Sequence, residues 1–324
     1  MTSDANQESK RVWASLITHE EYLPGLLTLD YSLQLAGSKY PLLALYTDTV
    51  PETVLAALDA RKIARRKVPL LKPSGSKEFK NDARFMDTWT KLSAFSLVDF
   101  DRVVLLDSDM LVRRNLDELI ILDLDPPSLG GDGQRVFAAS HACCCNPLKK
   151  EHYPPDWIPS NCAFTMQHQT PEKAQIEGPP ISSGLGMLNG GLLVINPSMG
   201  TYSKITKAID TPELTCKYDF PDQDLLADIF TGRWVALPYT YNALKTLRWK
   251  NVHDTIWRDD EVKVVHYIFA DKPWKNQPAS LRGSESTGMR QAWEESNAIL
   301  YSWWWDVNKK RQRAEQDRGI LDNF

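Results

Sequence analysis

The stretch Arg102-Val103-Val104-Leu105-Leu106-Asp107-Ser108-Asp109 decides how this chain is read. After its arginine, VVLL is apolar without alternation and half β-branched. A strand of that kind is buried on both faces, as at the centre of a parallel sheet covered by helices. It ends abruptly in three polar residues. Open α/β sheets bind ligands outside the carboxyl ends of their strands, so Asp107, Ser108 and Asp109 fall where a ligand site is expected. Two carboxylates one residue apart at the end of an extended segment can face one divalent ion, and hard oxygen ligands suit Mn²⁺ or Mg²⁺. Taken alone, the D-X-D pattern fits a solvated turn as well.

Working outward, strands and helices alternate. Val12–Thr18 reads as a buried strand, Tyr22–Ala36 as a helix with Leu26, Leu29 and Leu33 on one face, and Tyr40–Tyr46 as a second strand. Pro51–Ala60 reads as a helix with proline in its first turn, and Lys62–Leu70 as a third strand. Lys72–Asp82 is a polar loop and Arg84–Leu97 a helix. Beyond the D-X-D, Phe137–Ala139, Leu192–Ile195 and Val262–Tyr267 read as strands, and Asp222–Phe230 and Met289–Val307 as helices. This alternation predicts an α/β fold, a mostly parallel central sheet with helices on both faces. No repeat or linker interrupts it, so a single domain is expected over 11–307. Within it, 141–183 is rich in Pro, Cys, His and Gln and is expected to be an ordered insertion near the site. Residues 308–324 are expected to form a charged, frayed tail.

The totals exclude several classes. A net charge of −4 over 324 residues gives no basic face for nucleic acid. Met1 to Lys10 is polar, and Val12–Ile17 is too short for a signal core or a membrane span. The odd count of 5 cysteines, three of them consecutive (Cys143, Cys144, Cys145), suits a reducing compartment rather than a disulfide framework. A cytoplasmic protein with no membrane span is expected. Of the 11 tryptophans, most should lie in the core.

Four further constellations carry chemistry. His266, at the end of Val264-Val265-His266, offers an imidazole nitrogen that Mn²⁺ accepts, and Lys272 can reach a phosphate as a point charge. Asn189-Gly190-Gly191 can bring backbone close to a ligand and offer an amide to hydroxyl groups, or can simply turn the chain into the strand LLVIN. Asp222, beside Gln223, reads as a helix N-cap or first-turn acid. His141, Cys143, Cys145, His152 and Cys162 could assemble a zinc site, although their spacing fits no strong template and buried reduced thiols are the default.

Taken in order, these motifs resemble the family 8 retaining glycosyltransferases, the group containing glycogenin and galactinol synthase, from about Val12 to Trp305. The resemblance implies a GT-A type, Rossmann-like fold and transfer of a hexose from a UDP-sugar to a hydroxyl acceptor. SLITHEEYLPGLLTLDYSL resembles the family's opening strand and helix, with Leu16, Ile17, Thr18 and Tyr22 at nucleotide-contacting positions. DTWTKLSAFSL implies Lys91 as a donor contact, with Arg84 upstream of it. VVLLDSDMLVRRNLDEL implies Asp107 and Asp109 as metal ligands and Ser108 at the ribose. NGGLLVINPS places Asn189, Gly190 and Gly191 near the donor sugar. FPDQDLL places Asp222 on sugar hydroxyls and Gln223 near the anomeric carbon. VVHYIFADKPW resembles H-X-X-G-X-X-K-P-W, giving His266 as the third metal ligand and Lys272 as a diphosphate contact. Phe269 replaces the glycine of that motif, which implies an altered loop geometry or a different grip on the nucleotide. Trp249 stands roughly where glycogenin's self-glucosylated tyrosine would fall, so self-modification there is not expected. The family often forms homodimers, and the resemblance extends to that assembly.

Overall fold

A computed structural model describes residues 10–74, 88–276, 287–322 and 324. Arg84 lies outside the described residues. The strands in chain order are β1 (Arg11–Ile17), β2 (Leu42–Tyr46), β3 (Ala64–Lys67), β4 (Arg102–Leu106), β5 (Met110–Val112), β6 (Phe137–Ser140), β7 (Leu192–Ile195), β8 (Val235–Leu237), β9 (Ala243–Leu244) and β10 (Val264–His266). Seven of them form one sheet in the order β3-β2-β1-β4-β7-β6-β8. Its pairings are parallel except where β7 runs against β4 and β6.

The central position of β4 follows from its composition. All of its residues are buried. Along β1 and β4, Trp13, Val104 and Leu106 point to one face, where Leu26, Leu29 and Leu33 of the helix Leu23–Leu35 cover them. Ala14, Val103 and Leu105 point to the other face, against Trp89, Leu92 and Phe95. Period-two alternation thus fills both faces of one apolar strand. Arg102 is accommodated because its guanidinium donates to the carbonyls of Leu119 (3.4 Å) and Leu122 (2.6 Å).

A second, three-stranded sheet in the order β5-β10-β9 stands beyond the D-X-D. The reading of Val262–Tyr267 as a strand holds for its middle, Val264–His266, but the strand belongs to this separate sheet. Its antiparallel register sets His266 opposite Met110, the residue after Asp109. An imidazole from far downstream is thereby fixed beside the D-X-D by backbone pairing.

Other elements depart from expectation. Pro51 caps the helix Glu52–Ala60 from outside rather than opening its first turn. The helix expected over Arg84–Leu97 is, in its described part, a run of 3₁₀ turns over Thr88–Ser96. The insertion consists of short turns and one four-residue helix. Its two ends are stitched together by Asn189 N donating to Ser140 O (2.9 Å) and Ala142 N to Met187 O (2.9 Å).

The frayed tail is corrected outright. The terminal helix runs unbroken over Gly288–Gln316, and Asn308, Arg311 and Glu315 are buried on it. Arg311 donates to Glu315 one turn on (2.7 Å), and Arg61 grips the same carboxylate through two nitrogens (2.9 and 2.8 Å). Thr28 of the opening helix donates to Asn308 at 3.0 Å. Arg311 and Glu315, two of the charges that suggested a solvated tail, are instead buried and paired with each other and with Arg61. Among the described residues, no helix is long and apolar enough to cross a membrane.

Candidate active site

The carboxyl ends of β1 and β4, the turn before β7, the start of the helix Pro221–Ile229 and the end of β10 converge on one cavity of about 260 Å³. Leu16, Thr18, Tyr22, Lys91, Asp107, Ser108, Asp109, Asn189, Gly190, Gly191, Asp222, Gln223, His266, Phe269 and Lys272 all line it. Of the described residues that the resemblance placed at the donor site, Ile17 alone does not. It is 1% exposed and packs in the core beneath β1. Neighbours on a strand face opposite ways, so Leu16 and Thr18 can reach the cavity only if Ile17 turns away.

The ion-binding group comes together as expected. One oxygen each from Asp107 and Asp109 and one nitrogen of His266 lie within 4.8 Å of one another. His266 Nε2 is 3.2 Å from Asp109 and 3.7 Å from Asp107. Sequence reading missed the residue that aims this ring. Asn242, fully buried, accepts from His266 Nδ1 at 2.9 Å and donates its own amide to Asn189 Oδ1 at 2.8 Å. With Nδ1 tied to Asn242, the ring is oriented so that Nε2 faces the carboxylates. Outer partners of this kind typically tune metal affinity by about 10–100-fold. Asn242→Ala is therefore expected to weaken Mn²⁺ binding by about that factor, as titration calorimetry on the donor-free protein would measure; an unchanged affinity would remove Asn242 from the site.

Two lysines balance the acids. Lys91 donates to Asp107 at 2.8 Å and to the Gly190 carbonyl at 3.4 Å, and stands 3.3 Å from Asp222. Lys272 donates to Asp109 and, at 2.8 Å, to the Tyr267 carbonyl. Burial pushes the Asp107 carboxyl up, partly offset by Lys91. Burial acts on Asp109 too, but Lys272 and His266 outweigh it and hold that carboxyl well below the usual range. Burial likewise opposes the charge on Lys91, and Asp107 and Asp222 more than restore it. Three carboxylates against two ammonium groups leave this corner negative, and a divalent cation would turn it positive, as a diphosphate requires.

The glycines serve close packing. A Cβ on Gly190 would lie 2.1 Å from an Asp222 oxygen, and one on Gly191 2.3 Å from His266 Cε1. On the helix behind the site, a Cβ on Gly25 would lie 2.4 Å from the Ser108 carbonyl oxygen. Asp222 lines the cavity from the first turn of its helix, while Asp224 in the same turn accepts from Asp219 N and Phe220 N at 2.8 Å each. Burial pushes the Asp224 carboxyl up to about 7.

Phe269 adopts a left-handed backbone with φ of +74°, a conformation that glycine reaches without steric cost. Its ring packs beside Trp249, with Lys150 4.5 Å from its centre. Trp249 itself is buried, stacked on Trp293 at 4.8 Å and donating to Asn297. The zinc ligands expected at His141 and His152 do not join the cysteines. His141 bonds the Pro179 carbonyl, and His152 lies edge-on to Tyr153 in the cavity wall.

Comparison with known proteins agrees with this geometry. The model of Glycosyl transferase family 8 matches residues 14–277. An uncharacterized protein, R707, of Acanthamoeba polyphaga mimivirus is 28% identical over 89% of this chain and 90% of its own length. Galactinol synthase 2 of Arabidopsis thaliana is 28% identical over 89% of this chain and 77% of its own. Among solved structures, the galactosyltransferase LgtC superposes with a TM-score of 0.55 at 19% identity, over 92% of this chain and 95% of its own. The glycosyltransferase GlyE of Streptococcus pneumoniae TIGR4 gives 0.57 at 19% identity, over 96% of this chain but only 65% of GlyE. The fold is therefore the single α/β domain of these glycosyltransferases, and the chain belongs to glycosyl transferase family 8.

Proposed function

We propose that this protein is a retaining hexosyltransferase that moves a hexose from a UDP-sugar to the hydroxyl of a small cyclic polyol, with Mn²⁺ (or Mg²⁺) held by Asp107, Asp109 and His266. The observation that carries this reading is the meeting of those three groups with Lys91, Lys272, Asp222 and Gln223 in one cavity. The donor set fits such an ion: two carboxylates and a neutral imidazole whose other nitrogen is fixed by Asn242. When bound, the ion supplies Lewis-acid neutralisation of the departing diphosphate.

The chain's own groups do the rest. Lys272, seated on Asp109, reaches the same phosphates as a point charge. Lys91 ties the acid at the phosphate end to Asp222 at the sugar end. Asp222 and the Gln223 amide oxygen stabilise the positive charge that develops at the anomeric carbon. As the bond from that carbon to the diphosphate oxygen breaks, the acceptor oxygen bonds to the same face. Its proton passes to the departing phosphate oxygen.

The acceptor class draws on the galactinol synthase relatives and on the cavity's far wall. There Trp157 and Phe220 stack at 4.4 Å, with Tyr153 edge-on to both. Aromatic faces flanked by polar groups suit a ring that is apolar on its faces and hydroxylated at its rim. The five free cysteines support a reducing, cytoplasmic setting.

A panel of UDP-glucose, UDP-galactose and UDP-N-acetylglucosamine, with and without Mn²⁺ and inositol, tests the reading by UDP release. Metal-dependent release that rises with inositol is expected. Donor binding without release under any condition would make the protein a nucleotide-sugar binder instead. Intact mass should show no ladder of added hexoses, and a ladder would shift the acceptor onto the protein itself.

A further inference from the structure

A second constellation of metal-ligand type stands apart from the Asp107–Asp109–His266 group, with Cys143 bordering the same cavity. Sγ of Cys143, Cys145 and Cys162 and a ring nitrogen of His253 all lie within 4.8 Å of one another. His253 Nε2 is 3.1 Å from Cys145 Sγ and 3.3 Å from Cys162 Sγ. We propose that these four residues bind one structural zinc ion that pins the insertion to the segment between β9 and β10.

The donor set argues for this metal. Three soft thiolates with one imidazole are a closed tetrahedral zinc set. Zn–S bonds of about 2.3 Å and a Zn–N bond of about 2.0 Å place tetrahedral ligand atoms about 3.5–3.8 Å apart, within the spread seen here. Four protein ligands leave no open position, so the ion would be structural rather than catalytic. As it binds, the three thiols release their protons to solvent and remain as thiolates.

The surroundings argue the same way. His253 is fully buried, and its other nitrogen, Nδ1, lies 2.9 Å from Nε2 of His168. Zinc-bound histidines characteristically donate their second N–H to an outer acceptor, which fixes the ring. Phe164 closes over the imidazole edge-on. The Cys-X-Cys spacing turns Cys143 and Cys145 to one side. Cys144 between them stays out, its thiol nearest the Ala142 carbonyl at 3.9 Å. All five cysteines are free, so no disulfide competes within the cluster. The insertion has only short turns and a four-residue helix of its own. A crosslink to His253 would give it a rigid anchor, and Tyr153 and Trp157 of the cavity wall lie between the cysteine ligands.

The test is metal content, measured without donor or acceptor and so independent of the transfer reading. Using the Asp109→Asn chain keeps the donor-site ion out of the count. Native mass spectrometry and elemental analysis should find one zinc per chain, falling to none in the added Cys162→Ser or Cys145→Ser change. Should those variants fail to fold, the otherwise unaltered chain refolded with Co²⁺ should show thiolate-to-cobalt charge-transfer absorption. A folded chain that carries no zinc, or that takes up Co²⁺ without that absorption, overturns the proposal.

Discussion

Asp109→Asn is expected to lower donor turnover by roughly 10³-fold or more while leaving the circular dichroism spectrum unchanged. The substitution keeps the shape of the side chain and one oxygen. It removes the charge that faces His266 Nε2 at 3.2 Å and that Lys272 neutralises. Lys272 and His266 hold this carboxyl ionised against burial, so its negative charge is what the surroundings are built to keep. An amide there would weaken the cation site and set Lys272 loose from its anchor together. The fold should survive because Asp109's backbone bond, from Tyr267 N at 3.0 Å, is untouched. Full UDP release by the variant with added Mn²⁺ would defeat the metal assignment.

The largest stability effect is expected far from the cavity. Glu315→Gln should cost about 3–5 kcal/mol, the usual penalty for breaking a buried ion pair from one side. Its carboxylate is shared by Arg61 and Arg311, whose side chains are only 3% and 1% exposed. Neutralising it leaves two buried guanidinium groups facing each other, with Asp322 the acid that still pairs with Arg61. At about 2 °C per kcal/mol for a chain of this size, the melting temperature should fall by about 6–10 °C. Differential scanning calorimetry reads this directly. A melting temperature within a degree of the parent would mean that the end of the helix contributes little. Because the triad does not touch the cavity, UDP release at low temperature should be unaffected, which separates this prediction from the first.

How far the sequence could be read depended on how local the signal was. The strand Arg102–Leu106 and its acids were legible because an apolar run ending in D-X-D carries both its fold and its chemistry in eight residues. Asn189, Asp222 and Gln223 were legible as motifs in a set order. Ile17 sits within the opening motif, yet period-two alternation turns its side chain away from Leu16 and Thr18 into the core. Asn242 carried no local mark. A single buried asparagine gains its meaning only from β9 lying beside β10, a pairing between distant segments. His253 joined the cysteines for the same nonlocal reason, lying 91 residues from Cys162. The continuation of the terminal helix past Val307 is not legible, because charge density alone does not distinguish a solvated face from salt bridges closing on a partner such as Arg61.

The close approaches at Gly25, Gly190 and Gly191 shape what a mutational map of this protein would look like. None of the three carries a reactive atom, and judged by side-chain size alone glycine to alanine is the mildest of changes. Yet one added methyl group must displace an Asp222 oxygen, the His266 ring or the Ser108 carbonyl. A saturation screen for activity should therefore show three silent-looking positions as intolerant as the acids themselves, outlining the chamber by where carbon is forbidden.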